Sequence, residues 1–221
     1  MDRLRLAGTL LLAAAAVAAA GQVTKTPKGY VFRGRYVPNQ TTHYSSLVRT
    51  RISDQDISVR TKIKMMVTGV KGHVATIRIF QSQPTSGDKD RPIWSSVEST
   101  LKLDPLNHPI GSKSNTSLVV PFPEGPIKPG AEWSGMSTFA FGGRSGGLLE
   151  TRYRFSGIKQ DKGKRLATLD AQMRGFATGS GAILIDCTDG SVAVSFMTLQ
   201  IQTGPGEQYP VQLQIRKTDG H

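Results

Sequence analysis

The chain has 221 residues, with 28 Lys and Arg against 16 Asp and Glu, so its formal net charge is +12 at pH 7. Its single cysteine, Cys187, excludes an intramolecular disulfide, so stability has to come from packing and strand pairing. An excess of positive charge favours anionic partners such as phospholipid headgroups, lipopolysaccharide or acidic glycans. The alternative is that the charges only solvate the outer faces of sheets.

The N-terminus has the layout of a secretory signal peptide over residues 1–20. Arg3 and Arg5 precede an apolar run that ends in small residues, with Ala18 and Ala20 at a cleavage site of the A-x-A type. The run is too short and too rich in alanine for a membrane span, which needs about 20 apolar residues. We therefore expect cleavage near Ala20, export to the periplasm or the extracellular space, and no transmembrane span in the mature chain. An uncleaved anchor is the alternative.

Beyond residue 20, apolar and polar residues alternate, as is typical of antiparallel strands with one buried face. In chain order the alternating segments are YVFRGRY, HYSSLVRTRI, ISVRTKIKMMVTG, VATIRIF, WSSVESTLKL (from Trp94), WSGMSTFAF, LLETRYRFSG, RLATLDAQMRG, GAILIDC, SVAVSFMTLQIQ and VQLQIRK. Glycine-rich turns separate several of them, including GGRSGG at 142–147. We predict an all-β fold of antiparallel sheets, with about eleven strands and little helix after the signal peptide.

The clearest alternation lies in residues 57–69. One face carries the apolar residues Ile57, Val59, Ile63, Met65 and Val67. The other carries Arg60, Lys62 and Lys64, which we predict as candidate contacts to an anionic surface. If they are not contacts, they are the solvated side of a half-buried strand.

Two segments of the chain repeat each other faintly. VTGVK at 67–71 resembles FSGIK at 155–159, and VATI at 74–77 resembles LATL at 166–169. This pattern predicts two related β-rich halves forming a curved sheet, a sandwich or a flattened barrel. Hairpins draw on a small set of sequences, so coincidence is the alternative.

A proline-rich stretch, VPFPEGPIKPGAEWSG at 120–135, lies between the repeated segments. Prolines cannot donate to a sheet ladder, so we predict an extended joint with Pro126, Gly130 and Trp133 as its structural residues. Trp133 should pack on the same face as Phe139 and Phe141. The predicted organisation is a signal peptide, a first half, a joint and a second half, with the two halves also able to form one continuous domain; the bounds are 1–20, 21–120, 121–130 and 131–221.

The motif IKPGAEW within the joint resembles a mid-chain signature of exported bacterial β-rich proteins of unknown function. The pattern there is proline, apolar, Lys, apolar or Pro, Gly, Asp, any residue and Trp. The matching residues here are Ile127, Lys128, Pro129, Gly130 and Trp133. Ala131 stands where the acid is usual. The resemblance implies a secreted or envelope β protein and supplies no catalytic residue.

Residues able to carry chemistry are scattered. The histidines are His43, His73, His108 and His221, and they have no metal-ligand spacing. Asp186 and Asp189 in DCTDG supply too few oxygens for a calcium loop. Aromatic and basic residues alternate on opposite faces, which disfavours specific nucleic-acid binding. We expect no catalytic residue, metal or cofactor, although folding could still unite His43 and His108 with a carboxylate.

The sequence therefore predicts a non-catalytic exported envelope protein that binds an apolar or amphipathic ligand, or an anionic surface such as lipid. A structural or assembly protein that pairs through sheet edges is the alternative. A secreted hydrolase of unrecognised type ranks last. A deep apolar cavity would favour the first function, a filled core with a bare edge strand the second, and a cleft with converging carboxylates or histidines the third. No oligomeric state is predicted.

Overall fold

A computed structural model describes residues 22–52, 55–86, 91–92, 95–111, 115–116, 118–141, 144–204 and 207–219. The predicted signal peptide, Trp94 and His221 lie outside the described residues. Throughout the described ranges the chain is all-β, with fifteen strands and no helix. In chain order they are β1 Val23–Thr26, β2 Gly29–Phe32, β3 Thr41–Ile52, β4 Gln55–Lys71, β5 Val74–Gln81, β6 Thr85–Ser86, β7 Arg91–Pro92, β8 Val97–Leu103, β9 Asn115–Thr116, β10 Glu132–Phe141, β11 Arg144–Asp161, β12 Lys164–Gly175, β13 Ala177–Asp186, β14 Val192–Gly204 and β15 Glu207–Thr218.

The strands form one large sheet and one small hairpin. The hairpin pairs β1 with β2, and the other thirteen described strands share one sheet. The main order is β7-β6-β4-β3-β15-β14-β13-β12-β11-β10-β9, while β5 pairs with another part of β4 and with β8. The pairing is antiparallel except for the two-residue contact of β9 with β10. This confirms the predicted all-β, antiparallel class, and in the described part of the chain the sheet is open and is not closed into a barrel.

The alternation predicted for residues 57–69 is present in β4. Val59, Ile63 and Val67 are buried, whereas Ile57 and Met65 are half-buried. The basic residues between them are exposed. A strand with this pattern has one face against the core and one in water.

The last strand joins the two ends of the chain into one sheet. β15 pairs with β3 from Val211↔Thr50 to Thr218↔His43. The buried side chains of the two predicted halves belong to a single hydrophobic cluster. The boundaries of the halves stay a prediction, but their cores are continuous.

The two repeated segments adopt the same local geometry. The β4–β5 pairing shifts register between Val67 and Gly69, and the β11–β12 pairing shifts between Phe155 and Gly157. These are equivalent positions of VTGVK and FSGIK. A β-bulge inserts one extra residue into one strand, here a hydroxyl residue before glycine in both cases. The resemblance between the segments therefore extends from sequence to register.

Among the predicted boundaries that differ from the structure, two show which longer-range contacts decide them. YVFRGRY was expected to be one strand, but β2 ends at Phe32, because the Gly34 N–H donates to the Pro105 carbonyl and the Arg35 N–H donates to the Asp189 carbonyl. GGRSGG was expected to be a turn, but β11 begins within it, at Arg144. Long-range hydrogen bonds override the alternating strand pattern in the first case. In the second, the pairing of β11 with β10 up to Phe141↔Arg144 overrides the local turn pattern.

The β1–β2 hairpin and the proline-rich stretch cover the inner face of the sheet. Phe32 is fully buried, and its ring centroid lies 5.3 Å from that of Phe155 and 5.5 Å from that of Phe122. The two covering segments also pair with each other through Tyr30 and Ile127. The apolar interior is thus filled by the chain itself.

Candidate functional site

The three predicted surface contacts lie side by side on the exposed face of β4. Arg60, Lys62 and Lys64 are all exposed. Directly across on β3 they face neutral residues, because Lys62 pairs with Ser45 and Arg60 pairs with Leu47. No carboxylate on β3 is therefore placed opposite these cations.

Two cations from distant parts of the chain extend this surface. Arg216 of β15 pairs with Ser45, which puts Arg216 and Lys62 on either side of the same β3 residue. Arg49 of β3 lies between Ser58 of β4 and Gln212 of β15. We call the five exposed side chains on these three adjacent strands the basic face; they are Arg49, Arg60, Lys62, Lys64 and Arg216. Among the described residues none of the five makes an ion pair.

A depression lies in the basic face where β4 changes partner. Arg60 pairs with Thr85 of β6, whereas Ile63 pairs with Gln81 of β5. Between the two partners, the Lys62 N–H donates to Ser82 Oγ at 3.0 Å and the Ser82 N–H donates to the Lys62 carbonyl at 2.8 Å. The depression is lined by cations and hydroxyl groups, among them Ser45, Arg60, Lys62, Ser82 and Arg216. Such a lining can donate hydrogen bonds to an anion.

The predicted joint lies on the side of the sheet opposite to the basic face. The stretch 118–131 is described throughout and contains no strand, only the single Tyr30↔Ile127 pairing. Pro126 is exposed, and Gly130 turns the chain with a φ of 93°, a value that strains any residue with a Cβ. The Gly130 N–H donates to the Phe155 carbonyl at 2.7 Å, which ties the joint to β11.

Trp133 packs as a half-buried ring at the start of β10. It stacks on Tyr153 with ring centroids 5.6 Å apart, and its Nε1–H donates to the Pro121 carbonyl at 2.7 Å. The side chains of Phe139 and Phe141, expected on the same face, lie outside the described side chains. Trp133 therefore holds the proline-rich stretch against β10 and β11, away from the basic face.

Sequence reasoning missed a polar cluster at one end of the inner face. Lys217 Nζ donates to Asp189 Oδ2 at 2.6 Å and to Ser191 Oγ at 3.0 Å, and it lies 3.7 Å from Asp186 Oδ2. Burial would raise the pKa of Asp189, but hydrogen bonds from Lys217 and Ser191 outweigh it and hold that pKa below its usual value. The signal that could have located the cluster is DCTDGS, a turn with two carboxylates and a serine.

The chemistry of this cluster is structural. A Ser191–Lys217 contact resembles a nucleophile and base, but here Lys217 Nζ donates to Ser191 Oγ and does not accept its proton. Ser191 Oγ also donates to Asp189 Oδ1 at 2.6 Å, so its own proton is engaged. The cluster joins the β13–β14 turn to the end of β15.

Beside the cluster lies a small cavity of about 60 Å³. Its walls include Tyr44, Met65, Val67 and Val120. Burial, followed by the charge of Asp189, raises the pKa of Tyr44 well above its usual value, so its hydroxyl stays protonated. This volume is below the range of about 300–1,000 Å³ that is typical of ligand pockets.

The histidines do not converge with carboxylates into a catalytic cleft in the described residues. His43 pairs with Lys64 on β4, and His108 Nδ1 lies 3.6 Å from Asp104 Oδ2. In the described ranges no three His, Cys, Asp or Glu side chains are grouped to hold a metal ion. Nor does any described helix have the length and apolar character needed to cross a membrane.

The basic face is therefore the site with the most specific geometry: five cations on adjacent strands that make no ion pair among the described residues, three of which line one depression. Comparison with known proteins adds no family to this description. The sequence matches no protein-family model, and no curated protein matches it significantly.

Proposed function

We propose that this protein is a non-catalytic, exported binding protein that docks its basic face on an anionic surface or ligand of the cell envelope. The observation that carries the proposal is the register of β4, β3 and β15. It brings five exposed cations onto one face and, within the described residues, leaves them without a carboxylate partner. Solvation alone does not require cations from three strands to converge.

The size of the expected attraction is sufficient for reversible binding. Each Lys or Arg near an anionic membrane surface contributes about 1 kcal/mol, so five contribute roughly 5 kcal/mol before other terms. Exposed charges are screened beyond about 8 Å at physiological ionic strength, so this binding has to weaken with salt. The small volume of the cavity beside Asp189 and Ser191, about 60 Å³, supports the outer face as the binding region, because ligand pockets measure about 300–1,000 Å³.

The test is sedimentation with phosphatidylglycerol–phosphatidylcholine vesicles at low and high salt. Replacing Arg60, Lys62 and Lys64 together with Gln should weaken binding by about 1 kcal/mol per charge, or roughly 100-fold in total. The matched control replaces three exposed cations elsewhere on the sheet with Gln; these are Arg154, Lys159 and Arg174. If both triple variants bind the vesicles equally and without dependence on salt, the proposal of electrostatic docking by this face is contradicted.

Export is part of the proposal and has its own test. The N-terminal layout leads us to expect protein recovered outside the cytoplasm and shortened by about 20 residues. Intact-mass measurement of the protein from envelope fractions checks this. Cytosolic protein that still carries Met1 would contradict export without bearing on the basic face.

One observation favours the second candidate, assembly through a sheet edge. Over Val97–Leu101, β8 pairs with β5 on one side, and no described strand pairs with it on the other. A bare edge can accept a strand from another chain. Val97→Lys puts a charge at this edge and should abolish concentration-dependent self-association in sedimentation velocity. A monomer at all concentrations before substitution would contradict self-pairing.

A further inference from the structure

The basic face continues into an exposed apolar patch on the same side of the sheet. Phe196 of β14 is 47% exposed, although it is one of the larger apolar side chains of the molecule. Across the strands it shares a row with Gln214 of β15, Leu47 of β3 and Arg60 of β4. One row therefore runs from a cation to an exposed aromatic ring.

Two neighbouring depressions follow this row. The first, in the basic face, and the second, against Phe196 and Ala182, have both Leu47 and Gln214 in their linings. The two depressions are thus adjacent. The first, which we call the cationic depression, is lined by Arg60, Lys62 and Arg216. The second, which we call the Phe196 depression, has Phe196 and Ala182 in its lining together with Arg49 and Gln212. Neither depression shares a lining residue with the small cavity beside Asp189 and Ser191.

The cationic depression carries two cations on either side of one hydroxyl residue. Lys62 and Arg216 flank Ser45 from opposite sides. Strands lie about 4.8 Å apart, so the backbones that carry the two cations are roughly 10 Å apart. Two long side chains can close on a single tetrahedral anion in that gap, with the exposed Ser45 below it as a further hydroxyl group.

The Phe196 depression offers Leu47, Ala182 and the exposed ring of Phe196 to an apolar chain attached to that anion. From Leu47 on β3 to Ala182 on β13 there are three strand spacings, or roughly 14 Å of surface. An exposed aromatic ring in a concave surface gains by covering it with an apolar group. The order along the row is charge first and apolar surface second, which matches the two ends of an amphipathic anion.

We infer that the two depressions form one site for a single amphipathic phosphate, with the phosphate between Lys62 and Arg216 and its alkyl chain across Leu47 to Phe196. The inference rests on the proposed function and narrows it from an anionic surface to a phosphate that carries an apolar chain. The contact with the alkyl chain distinguishes this site from electrostatic docking alone.

The experiment is calorimetric titration of the purified protein with dodecyl phosphate below its critical micelle concentration, with inorganic phosphate as the reference. We expect one dodecyl phosphate per chain, bound at least tenfold more tightly than inorganic phosphate, because burial of apolar surface adds to the charge contact. Phe196→Ser should lower the affinity for dodecyl phosphate by about tenfold and leave inorganic phosphate unchanged. Lys62→Gln with Arg216→Gln should weaken both ligands.

The control for Phe196 is Leu148→Ser. Leu148 is 55% exposed on β11, but it lies two residues from Glu150 rather than beside the basic face. This variant should bind dodecyl phosphate as the unmodified protein does. Thermal unfolding of each variant establishes that it is folded, and Phe196→Leu, which keeps an apolar side chain, should retain most of the affinity.

The outcomes separate the inference from the proposed function. Dodecyl phosphate bound no more tightly than inorganic phosphate, or bound equally by Phe196→Ser, would overturn the inference. If salt-sensitive vesicle binding through Arg60, Lys62 and Lys64 persists in that case, the proposed function stands alone. If salt-sensitive vesicle binding through these residues is also absent, the inference and the proposed function are both contradicted.

Discussion

Two regions of the outer surface carry similar numbers of cations and arrange them in opposite ways. On β10–β12, register places opposite charges across from each other, as in Glu132↔Arg154 and Glu150↔Arg174. Glu132 also forms an ion pair with Arg152. We call this region the paired face. On the basic face the three β4 cations stand opposite Leu47, Ser45 and His43, and the one carboxylate among the residues of β3 and β4, Asp56, lies opposite Arg51 instead.

The difference teaches that alternation and composition do not distinguish a solvated face from a binding face. Both regions alternate apolar and charged residues, and both would pass as ordinary sheet surface. Cross-strand neighbours of opposite charge stabilise each other. A group of cations without such neighbours creates a positive potential that attracts an external anion. Register therefore decides which face has an unsatisfied charge.

The largest expected effect concerns the inner side of the paired face. Trp133→Ala should lower the free energy of unfolding by about 3 kcal/mol, because it removes a ring stacked on Tyr153 and a hydrogen bond to Pro121. Its outward neighbour Ser134, replaced by Ala, should change stability by less than about 0.5 kcal/mol. Urea unfolding of both variants makes the measurement. A loss below about 1 kcal/mol for Trp133→Ala would indicate a ring that does not support the fold.

The next largest effect on stability is expected at one of two consecutive cations of β15. Lys217 is held by Asp189 and Asp186, whereas Arg216 points outward from the basic face. Lys217→Met should cost about 2 kcal/mol, because it leaves partly buried carboxylates without their cation. Arg216→Met should cost under about 0.5 kcal/mol but weaken vesicle binding. Equal stability of the two variants would contradict the structural role of the cluster.

The same cluster predicts a pH dependence with a defined sign. The folded-state pKa of Asp189 is lowered, so its contribution to stability is present above the unfolded value of about 3.9. That contribution is lost as the pH falls through the lowered folded pKa. Urea midpoints from pH 7 to pH 2 should therefore fall more steeply in the unmodified protein than in Lys217→Met. Parallel profiles would contradict the assignment.

A smaller effect is expected when the paired face loses a carboxylate and so becomes more like the basic face. Glu132→Gln removes the carboxylate partner of Arg152 and should raise affinity for anionic vesicles by about 1 kcal/mol, or roughly fivefold. Ser134→Gln on the same strand is the control without a charge change. Unchanged vesicle binding in Glu132→Gln would mean that pairing is not what separates the two faces.

The smallest effect is on stability at the surface. Arg152→Gln breaks an exposed ion pair and Arg60→Gln breaks none, yet both should change the free energy of unfolding by less than about 0.5–1 kcal/mol, because exposed pairs contribute little. Chemical denaturation at low and high salt checks both. A cost above about 2 kcal/mol for Arg60→Gln would show that the basic face supports the fold and was not left free for binding.

Much of the architecture was predictable from local pattern. The all-β class, the faces of β4 and the absence of strand over residues 120–131 follow from period-two alternation and from proline's missing donor. The similarity of VTGVK to FSGIK indicated related hairpins, and both segments contain a register shift at the same position. The end of β2 at Phe32 was not, because it depends on bonds to Pro105 and Asp189 that lie far along the chain.

The candidate site was predictable in part. Arg60, Lys62 and Lys64 stood out because they alternate within one strand. Arg49 and Arg216 did not, and neither did the neighbouring Phe196, since nothing local marks an exposed residue as adjacent to another strand's cations. The cluster of Lys217 with Asp189 was missed for the same reason.

The sequence by itself determined which residues of each strand face water, because side-chain direction alternates with a period of two wherever the chain is extended. It did not determine which strands are neighbours. The tertiary structure decided that β15 lies against β3, where Thr50 Oγ1 donates to the carbonyl of Pro210, 160 residues away. That pairing unites cations from both ends of the chain and brings an aromatic ring beside them, because strand order and register depend on long-range hydrogen bonds and on how the whole core closes.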